Sequence, residues 1–214
     1  MQHSAKNLTP KINFSPPQTT IKSRGRPKKF DFVEASNRAL HLFWSQGFEG
    51  TSLSDLTDTL KMNKPSIYAS LGNKEALFKL VLKNYLINQL AFIDQAIAKA
   101  TLSEVIDALF KGEIALLTQQ DTPRGCLLVQ AASGSKQNTS INSLLVNARK
   151  AIEAKLRKRI QLAQLKKDFS TKDSPSVLAK SILVIYEGIS TQAATGSSEI
   201  ELLNVAELSK KILS

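Results

Sequence analysis

Residues 51–78 read TSLSDLTDTLKMNKPSIYASLGNKEALF, and this stretch decides the fold. Asp55 follows Ser52 by three residues, a spacing that is typical of a helix N-cap with an acidic first turn. The helix that begins there carries apolar residues at helical spacing, namely Leu53, Leu56 and Leu60. The pattern therefore predicts a short helix that starts just after Ser52.

A second short helix is predicted after a brief turn at residues 61–62. Asn63 can cap this helix through its side chain. Pro65 then falls in the first turn, where its missing N–H costs little. Gly72 ends the helix, because glycine readily adopts the left-handed conformation at a helix C-terminus.

Helical periodicity continues on both sides of this pair. Upstream, an apolar stripe begins at Phe32 and runs to Gly47, where the glycine is expected to stop the helix. Downstream, Asn73 caps a long amphipathic helix that is predicted to run without a break into the nineties. Further helices are predicted over residues 102–118, 125–132, 141–165, 177–194 and 200–213. No segment alternates like a strand, so the predicted fold class is all-α.

Two short helices behind a longer supporting helix meet the spacing requirement of a helix-turn-helix, which seats its second helix in the major groove of DNA. The outer side of the second helix would carry Lys64, Ser66, Ala69 and Ser70. Serine hydroxyls can meet base edges and an alanine methyl can touch a thymine methyl, whereas Lys64, Tyr68 and Lys74 suit phosphates. The spacing alone also fits ordinary packing of core helices, so it leaves both interpretations open.

A longer set of residues, in order along the chain, favours the helix-turn-helix over ordinary packing of core helices. It comprises residues 39–43, 47–48, 51–53, 62–63, 66–68 and 73–78. Together these residues resemble the N-terminal domain of TetR/AcrR transcriptional regulators. The resemblance implies a three-helix DNA-binding head followed by a helical C-terminal domain that dimerises and usually holds an inducer.

The resemblance also assigns candidate DNA contacts. The phosphate-contact positions of the family fall on Thr51, Tyr68 and Lys74, and the neighbouring Ser52 is a further candidate. Lys61 departs from the family pattern, because such turns often carry glycine, and a left-handed residue other than glycine costs about 1 kcal/mol or more. Leu71 stands where an aromatic residue is more common, but it keeps the core apolar.

Residues 1–27 are predicted to be a disordered basic arm, since the first 30 residues hold seven Lys or Arg and no Asp or Glu. Arg24 and Arg26 lie beside a glycine and a proline that favour an extended chain, which fits a narrow minor groove. A basic linker drawn to phosphates and a solubilising tail are the alternatives. Residues 28–73 are assigned to the helix-turn-helix domain, and residues 74–214 to a regulatory and dimerisation domain.

Several classes of function find no support in the sequence. The chain lacks the G-x-S-x-G, G-x-G-x-x-G and Walker motifs, so we expect no enzyme. One cysteine and two histidines predict neither a metal site nor another cofactor. The absence of a signal-peptide-like or membrane-spanning apolar stretch predicts a cytoplasmic protein. Cys126 could sense electrophiles beside Arg124, but a buried, inert cysteine is favoured.

The last two helices are predicted to join two subunits. Residues 182–189 leave little of their helix polar, and an apolar set on the final helix can complete a four-helix interface: Leu202, Leu203, Ala206 and Leu208. We expect a homodimer that represses transcription from a near-palindromic operator and responds to an unknown small-molecule inducer, with no membrane partner. The alternative is a helical ligand-binding or interaction protein whose basic tail docks on acidic partners or membranes.

Overall fold

Helices form all the regular structure within residues 31–134, 139–168 and 173–213, which are the residues that the computed structural model describes. In chain order these are α1 (Phe32–Gly50), α2 (Leu53–Leu60), α3 (Lys64–Leu71), α4 (Lys74–Asn84), α5 (Ala91–Ile97), α6 (Leu102–Thr118), α7 (Leu127–Gly134), α8 (Thr139–Leu165), α9 (Pro175–Ala194) and α10 (Glu199–Leu213). The predicted all-α class is confirmed.

Local capping positions α2 and α3 as the sequence predicts. Ser52 accepts a hydrogen bond from the backbone N–H of Asp55 at 3.1 Å, and the Asp55 carboxylate accepts one from the Ser52 N–H at 2.8 Å. Asn63 caps α3 by accepting from the Ser66 N–H at 2.9 Å. Lys61 adopts the left-handed conformation (φ 55°, ψ 38°), which is the strained turn that its sequence position predicts.

Three aromatic rings hold α1 against α4. Phe43 and Phe48 each make an edge-to-face contact with Phe78, with ring centroids 5.2 Å apart in both pairs. Such contacts stabilise a core beyond the apolar area that they bury. Gly47, with φ 72°, kinks the end of α1 and so turns Phe48 into this cluster.

The prediction of one unbroken helix from residue 74 into the nineties is wrong. After α4 the chain forms one π-helical stretch, Tyr85–Gln89, and only then continues into α5. The wider turn leaves Tyr85 fully buried, with its ring 4.9 Å from that of Trp44 on α1. A π-helical insertion of this kind often marks a functional position, because it redirects a side chain within a helix.

The C-terminal helices surround α6, whose apolar residues are buried against α5, α9 and α10. The predicted interface residues Leu202 and Ala206 lie in this core rather than on the surface. Other apolar residues of α9 and α10 are left exposed, including Val184 (62%) and Leu208 (61%). Helical periodicity indicated that α9 and α10 are apolar on several sides. It did not distinguish the sides that face the subunit core from those that face solvent.

Over the same described ranges, no single helix is both long and apolar enough to cross a bilayer. One bent pair, Lys74–Gln89 with Ala91–Ile97, meets that test on length and composition alone.

Candidate DNA-binding site

One side of α3 is exposed to solvent, and the opposite side is buried in the core. Ile67 and Leu71 pack into the core, whereas Lys64, Ala69 and Ser70 are exposed and Ser66 is half-buried. Tyr68 is 52% exposed, so its hydroxyl lies at the surface. The residues that the sequence predicts for base and phosphate contact on α3 therefore share one accessible surface.

Lys74 is tied into the head by two contacts. Its ammonium donates to the carbonyl oxygen of Thr51 at 2.8 Å and lies 4.3 Å from the centre of the Phe48 ring. A lysine ammonium carries three N–H donors, so the bond to Thr51 leaves others for an external acceptor. The side chain is half-buried and hence held in one place at the start of α4.

Thr51 and Ser52 differ in whether their hydroxyl groups are available to contact DNA. Thr51 is fully buried, and its hydroxyl donates to the carbonyl oxygen of Gly47 at 2.7 Å. Ser52 is exposed, and its oxygen accepts from Asp55, which leaves the hydroxyl hydrogen free to be donated. Of the two, Ser52 has the hydroxyl that is better placed for a partner outside the head.

Arg24 and Arg26, which the sequence predicts for the minor groove, lie outside the described residues. Their DNA contacts stay a prediction, as do those of the head residues. The structure brings Thr51 of the head and Lys74 at the start of α4 into direct contact, and it leaves Tyr68 and Lys64 on the exposed surface of α3.

A buried junction, which the sequence did not reveal, connects the head to the C-terminal helices. The indole N–H of Trp44 on α1 donates to the carbonyl oxygen of Gly125, just before α7. The next backbone N–H, that of Cys126, donates to the Ser190 hydroxyl of α9 at 2.6 Å. Gly125 has φ 89°, and a Cβ there would lie 2.9 Å from that of Ala194, so only glycine fits without strain.

Cys126 is buried at this junction, as the sequence analysis favours. Its thiol lies 3.2 Å from the Tyr85 hydroxyl oxygen, which donates to the sulfur. Burial, with a smaller contribution from Glu113, raises the pKa of Cys126 to about 12. Because the thiolate is the reactive form, this cysteine is a poor nucleophile in the folded protein.

Glu113 on α6 is a second feature that the sequence analysis missed. The side chain is fully buried, and neither carboxylate oxygen has a hydrogen-bond partner among the described residues. Burial raises the pKa of Glu113 from 4.5 to about 8. A signal was present, because Glu113 interrupts the apolar stripe of α6 three residues after Phe110 and four after Leu109.

Comparison with known proteins gives consistent matches. Residues 37–81 match the family model of bacterial regulatory proteins, tetR family. ComR, an HTH-type transcriptional repressor of Escherichia coli strain K12, is 29% identical over 196 residues, which cover 88% of this chain and 91% of ComR. NemR of E. coli, in its reduced form, shares the fold with a TM-score of 0.69 at 21% identity, covering 83% of this chain and 95% of NemR.

A solved structure of the TetR family transcriptional regulator CifR, a cysteine mutant complexed with 26-bp double-strand operator DNA, is similar over most of its length. The two chains are 30% identical with a TM-score of 0.81, and the match covers 87% of this chain and 98% of CifR. Because the likeness to CifR spans both the head and the C-terminal helices, and the family model matches the head, this chain belongs to the TetR family of bacterial regulatory proteins.

Proposed function

We propose that this protein is a transcriptional repressor that binds a near-palindromic operator as a homodimer. One observation carries the proposal: α3 buries Ile67 and Leu71 and leaves its opposite side to short residues beside Tyr68. A helix with such a side can approach the floor of the major groove closely. ComR is named a repressor, and the CifR structure includes operator DNA, which supports the same role here.

In this proposal the contacts divide into two groups. Ser66 and Ala69 read base edges, because their short side chains let the α3 backbone approach the bases. Lys64, Tyr68 and Lys74 bind phosphates, which fixes register and supplies affinity but no sequence preference.

Thr51, Ser52 and the arm complete the proposed interface. Ser52 donates its hydroxyl hydrogen to a phosphate, and Thr51 contributes by holding Lys74 through its carbonyl oxygen. Arg24 and Arg26 enter a minor groove of the operator, where negative potential is greatest in narrow A·T-rich DNA.

Dimerisation is proposed through α9 and α10. Most of their exposed apolar residues share one side of each helix, with Ile200 at the start of α10 lying apart: Val177 and Val184 on α9, and Val205, Leu208 and Ile212 on α10. Gly188, one turn beyond Val184, has no atom near its missing Cβ, so a partner helix can approach closely there. Two copies of this surface related by a two-fold axis would form a four-helix interface.

The domain assignment and the setting follow from the same proposal. Residues 28–73 act as the DNA-binding head, and residues 74–214 dimerise and respond to a small molecule in the cytoplasm. No catalytic step is assigned, since the relatives are named as regulators. An inducer would release the operator only to the extent that it prefers the conformation that does not bind DNA.

Selection of bound duplexes from a random pool tests the proposal, and an inverted repeat is the expected product. On the selected duplex, Lys64→Ala should weaken binding and lower the slope of log affinity against log salt by about 1.8, because the homodimer loses one phosphate contact in each subunit. Tyr68→Phe should weaken binding of the dimer about 25-fold on every sequence, which is the scale of two hydrogen bonds, one from each subunit. Fluorescence anisotropy over a salt series measures both effects.

Lys111→Ala serves as the control, because Lys111 is an exposed lysine of α6 that pairs with Asp107 away from the head. It should leave the affinity and the salt slope unchanged. Equal binding to any polyanion, with no preference among duplexes, would instead favour the alternative of a basic tail that docks on acidic partners or membranes.

The dimer interface predicts a large effect of charge. Leu208→Glu and Val184→Glu should each weaken dimerisation about 100-fold or more, because two like charges would meet across the two-fold axis. Analytical ultracentrifugation over a concentration series measures the dissociation constant. Ile87→Glu is the matched control, since Ile87 is similarly exposed (58%) but lies outside α9 and α10. Dimers of wild-type strength in both interface variants would exclude this surface.

A further inference from the structure

The buried carboxyl of Glu113 lies among three other titratable groups. Tyr85, Cys126 and Tyr186 face it from the π-helical stretch, the segment before α7 and α9, and none of them carries a charge at neutral pH. Burial raises the pKa of the carboxyl and the adjacent Tyr186 hydroxyl lowers it by a smaller amount, although this pair falls outside strict hydrogen-bond geometry and neither group has another partner within the described chain. The carboxyl and the hydroxyl are thus buried with no well-formed hydrogen bond, which is costly.

Two of the four clustered residues also line a small cavity, and an open cleft adjoins that cavity. Cys126 and Tyr186 line a small internal cavity of about 20 Å³, together with apolar residues of α7, α8 and α9. The ion pair between Arg149 and Glu187 lies at its outer edge, with the Arg149 Nε 2.9 Å from the carboxylate. Beyond that pair is a cleft of about 290 Å³ between α8 and α9, and one of the residues that line it, Val184, also belongs to the surface proposed above for dimerisation.

We propose that this polar cluster, comprising Tyr85, Glu113, Cys126 and Tyr186, is a binding site for a small organic cation of the primary ammonium class. The charged end would pair with the Glu113 carboxylate and donate to the Tyr186 oxygen. Its apolar part would extend through the small cavity towards the cleft between α8 and α9. Entry requires the Arg149–Glu187 pair to open and the cavity to expand, because a space of about 20 Å³ holds no more than a single water molecule.

The carboxyl favours a cation over other ligands for an electrostatic reason. A buried carboxylate without a partner is strongly disfavoured, and a cation beside it restores the lost interaction in a medium of low dielectric constant. With a pKa of about 8, Glu113 is mostly protonated at pH 7. Binding therefore converts a neutral carboxyl to a carboxylate paired with the ammonium, and about one proton passes to solvent.

The position of the site links it to the head. Tyr85 donates to Cys126 from one side and contacts the Trp44 ring of α1 on the other. Trp44 in turn donates to Gly125, the residue before Cys126. A ligand that displaces Tyr85 or Cys126 would shift α1, and this regulatory part of the inference rests on the repressor function proposed above.

Calorimetry on the full chain tests the site with n-butylammonium and benzylammonium against 1-butanol and benzyl alcohol. The ammonium ions should bind at least about tenfold more tightly than the alcohols of equal shape. Titration at pH 7 in two buffers with different ionisation enthalpies should show release of about one proton. Trp44 is the only tryptophan of the chain, so its emission should shift on binding.

Glu113→Gln keeps the shape of the side chain and should weaken ammonium binding about 30-fold or more, with no proton release. Glu207→Gln removes an exposed carboxylate on α10 and should leave both the ammonium affinity and the proton release at their wild-type values. Equal binding of alcohols, retained affinity in Glu113→Gln, or no saturable heat up to about 10 mM ammonium would overturn the proposed site. Saturable binding that leaves operator affinity unchanged would support the site and overturn only its regulatory role.

Discussion

Between pH 5 and pH 8 the free energy of unfolding of the wild-type protein should fall by roughly 3.5 kcal/mol, and Glu113→Gln should remove most of that fall. Burial raises the pKa of Glu113 from 4.5 to about 8 in the folded state. In the middle of this window the folded protein keeps a proton that the unfolded chain releases, so each pH unit there costs about 1.4 kcal/mol, and the slope flattens near pH 5 and pH 8. The stability from the held proton is complete below pH 4.5 and is lost as the pH rises through 8.

Other carboxylates change the stability of the protein in a different pH range. Three carboxylates at helix N-termini have pKa values lowered first by hydrogen bonds from backbone N–H groups: Asp55, Glu104 and Glu201. Their stabilising effect is present above the ordinary carboxyl pKa and is lost only in acid, as the pH falls through their lowered values. They therefore do not mask the slope of Glu113 between pH 5 and pH 8.

Urea unfolding followed by far-UV circular dichroism at pH 5, 6, 7 and 8 measures the slope. All samples need the same protomer concentration, because dimerisation also contributes to the apparent stability. Glu207→Gln is the matched control and should keep the wild-type slope. If Glu113→Gln and the wild type lose stability in parallel, the carboxyl is not protonated in the folded state.

Trp44→Phe should destabilise the protein by about 3 kcal/mol. Trp44 is fully buried, and its indole N–H satisfies the carbonyl of Gly125. Phenylalanine would leave that buried carbonyl without a donor and would also leave a cavity beside Tyr85. The two penalties add, because one concerns a polar group and the other the loss of packing.

Phe110→Leu provides the comparison for Trp44→Phe. Phe110 is a fully buried aromatic residue of α6, and its replacement removes part of a ring without leaving a backbone carbonyl unpaired. It should cost about 1 kcal/mol in the same urea titration at fixed pH. Equal losses in the two variants would mean that the Trp44–Gly125 hydrogen bond contributes nothing to stability.

Much of the head could be predicted because its signals are local. Ser52, Asn63 and Gly72 lie within a few residues of the helix ends that they define, and the structure has each cap where the sequence predicts it. Lys61 carries the left-handed turn that its position requires. Local hydrogen bonds and backbone preferences suffice for such features, and no distant residue is needed.

The errors concern features that depend on distant residues. The π-helical stretch after Asn84 interrupts an apolar pattern that looks continuous, because Tyr85 turns towards Trp44, about 40 positions earlier in the chain. Leu202 and Ala206 share a helix with Leu208, yet only Leu208 faces outward. Helical periodicity identifies an apolar side but does not say whether another helix of the same chain covers it.

The sequence by itself determined the helical class, the capped helix pair and the resemblance to TetR regulators, since each depends on residue types at short spacings. Tertiary structure alone decided which apolar sides stay open for a partner and where Trp44 meets Gly125. It also decided that the Glu113 carboxyl is buried without a partner. These features join residues far apart in the chain, and their energies depend on desolvation and packing, which exist only once the helices are assembled.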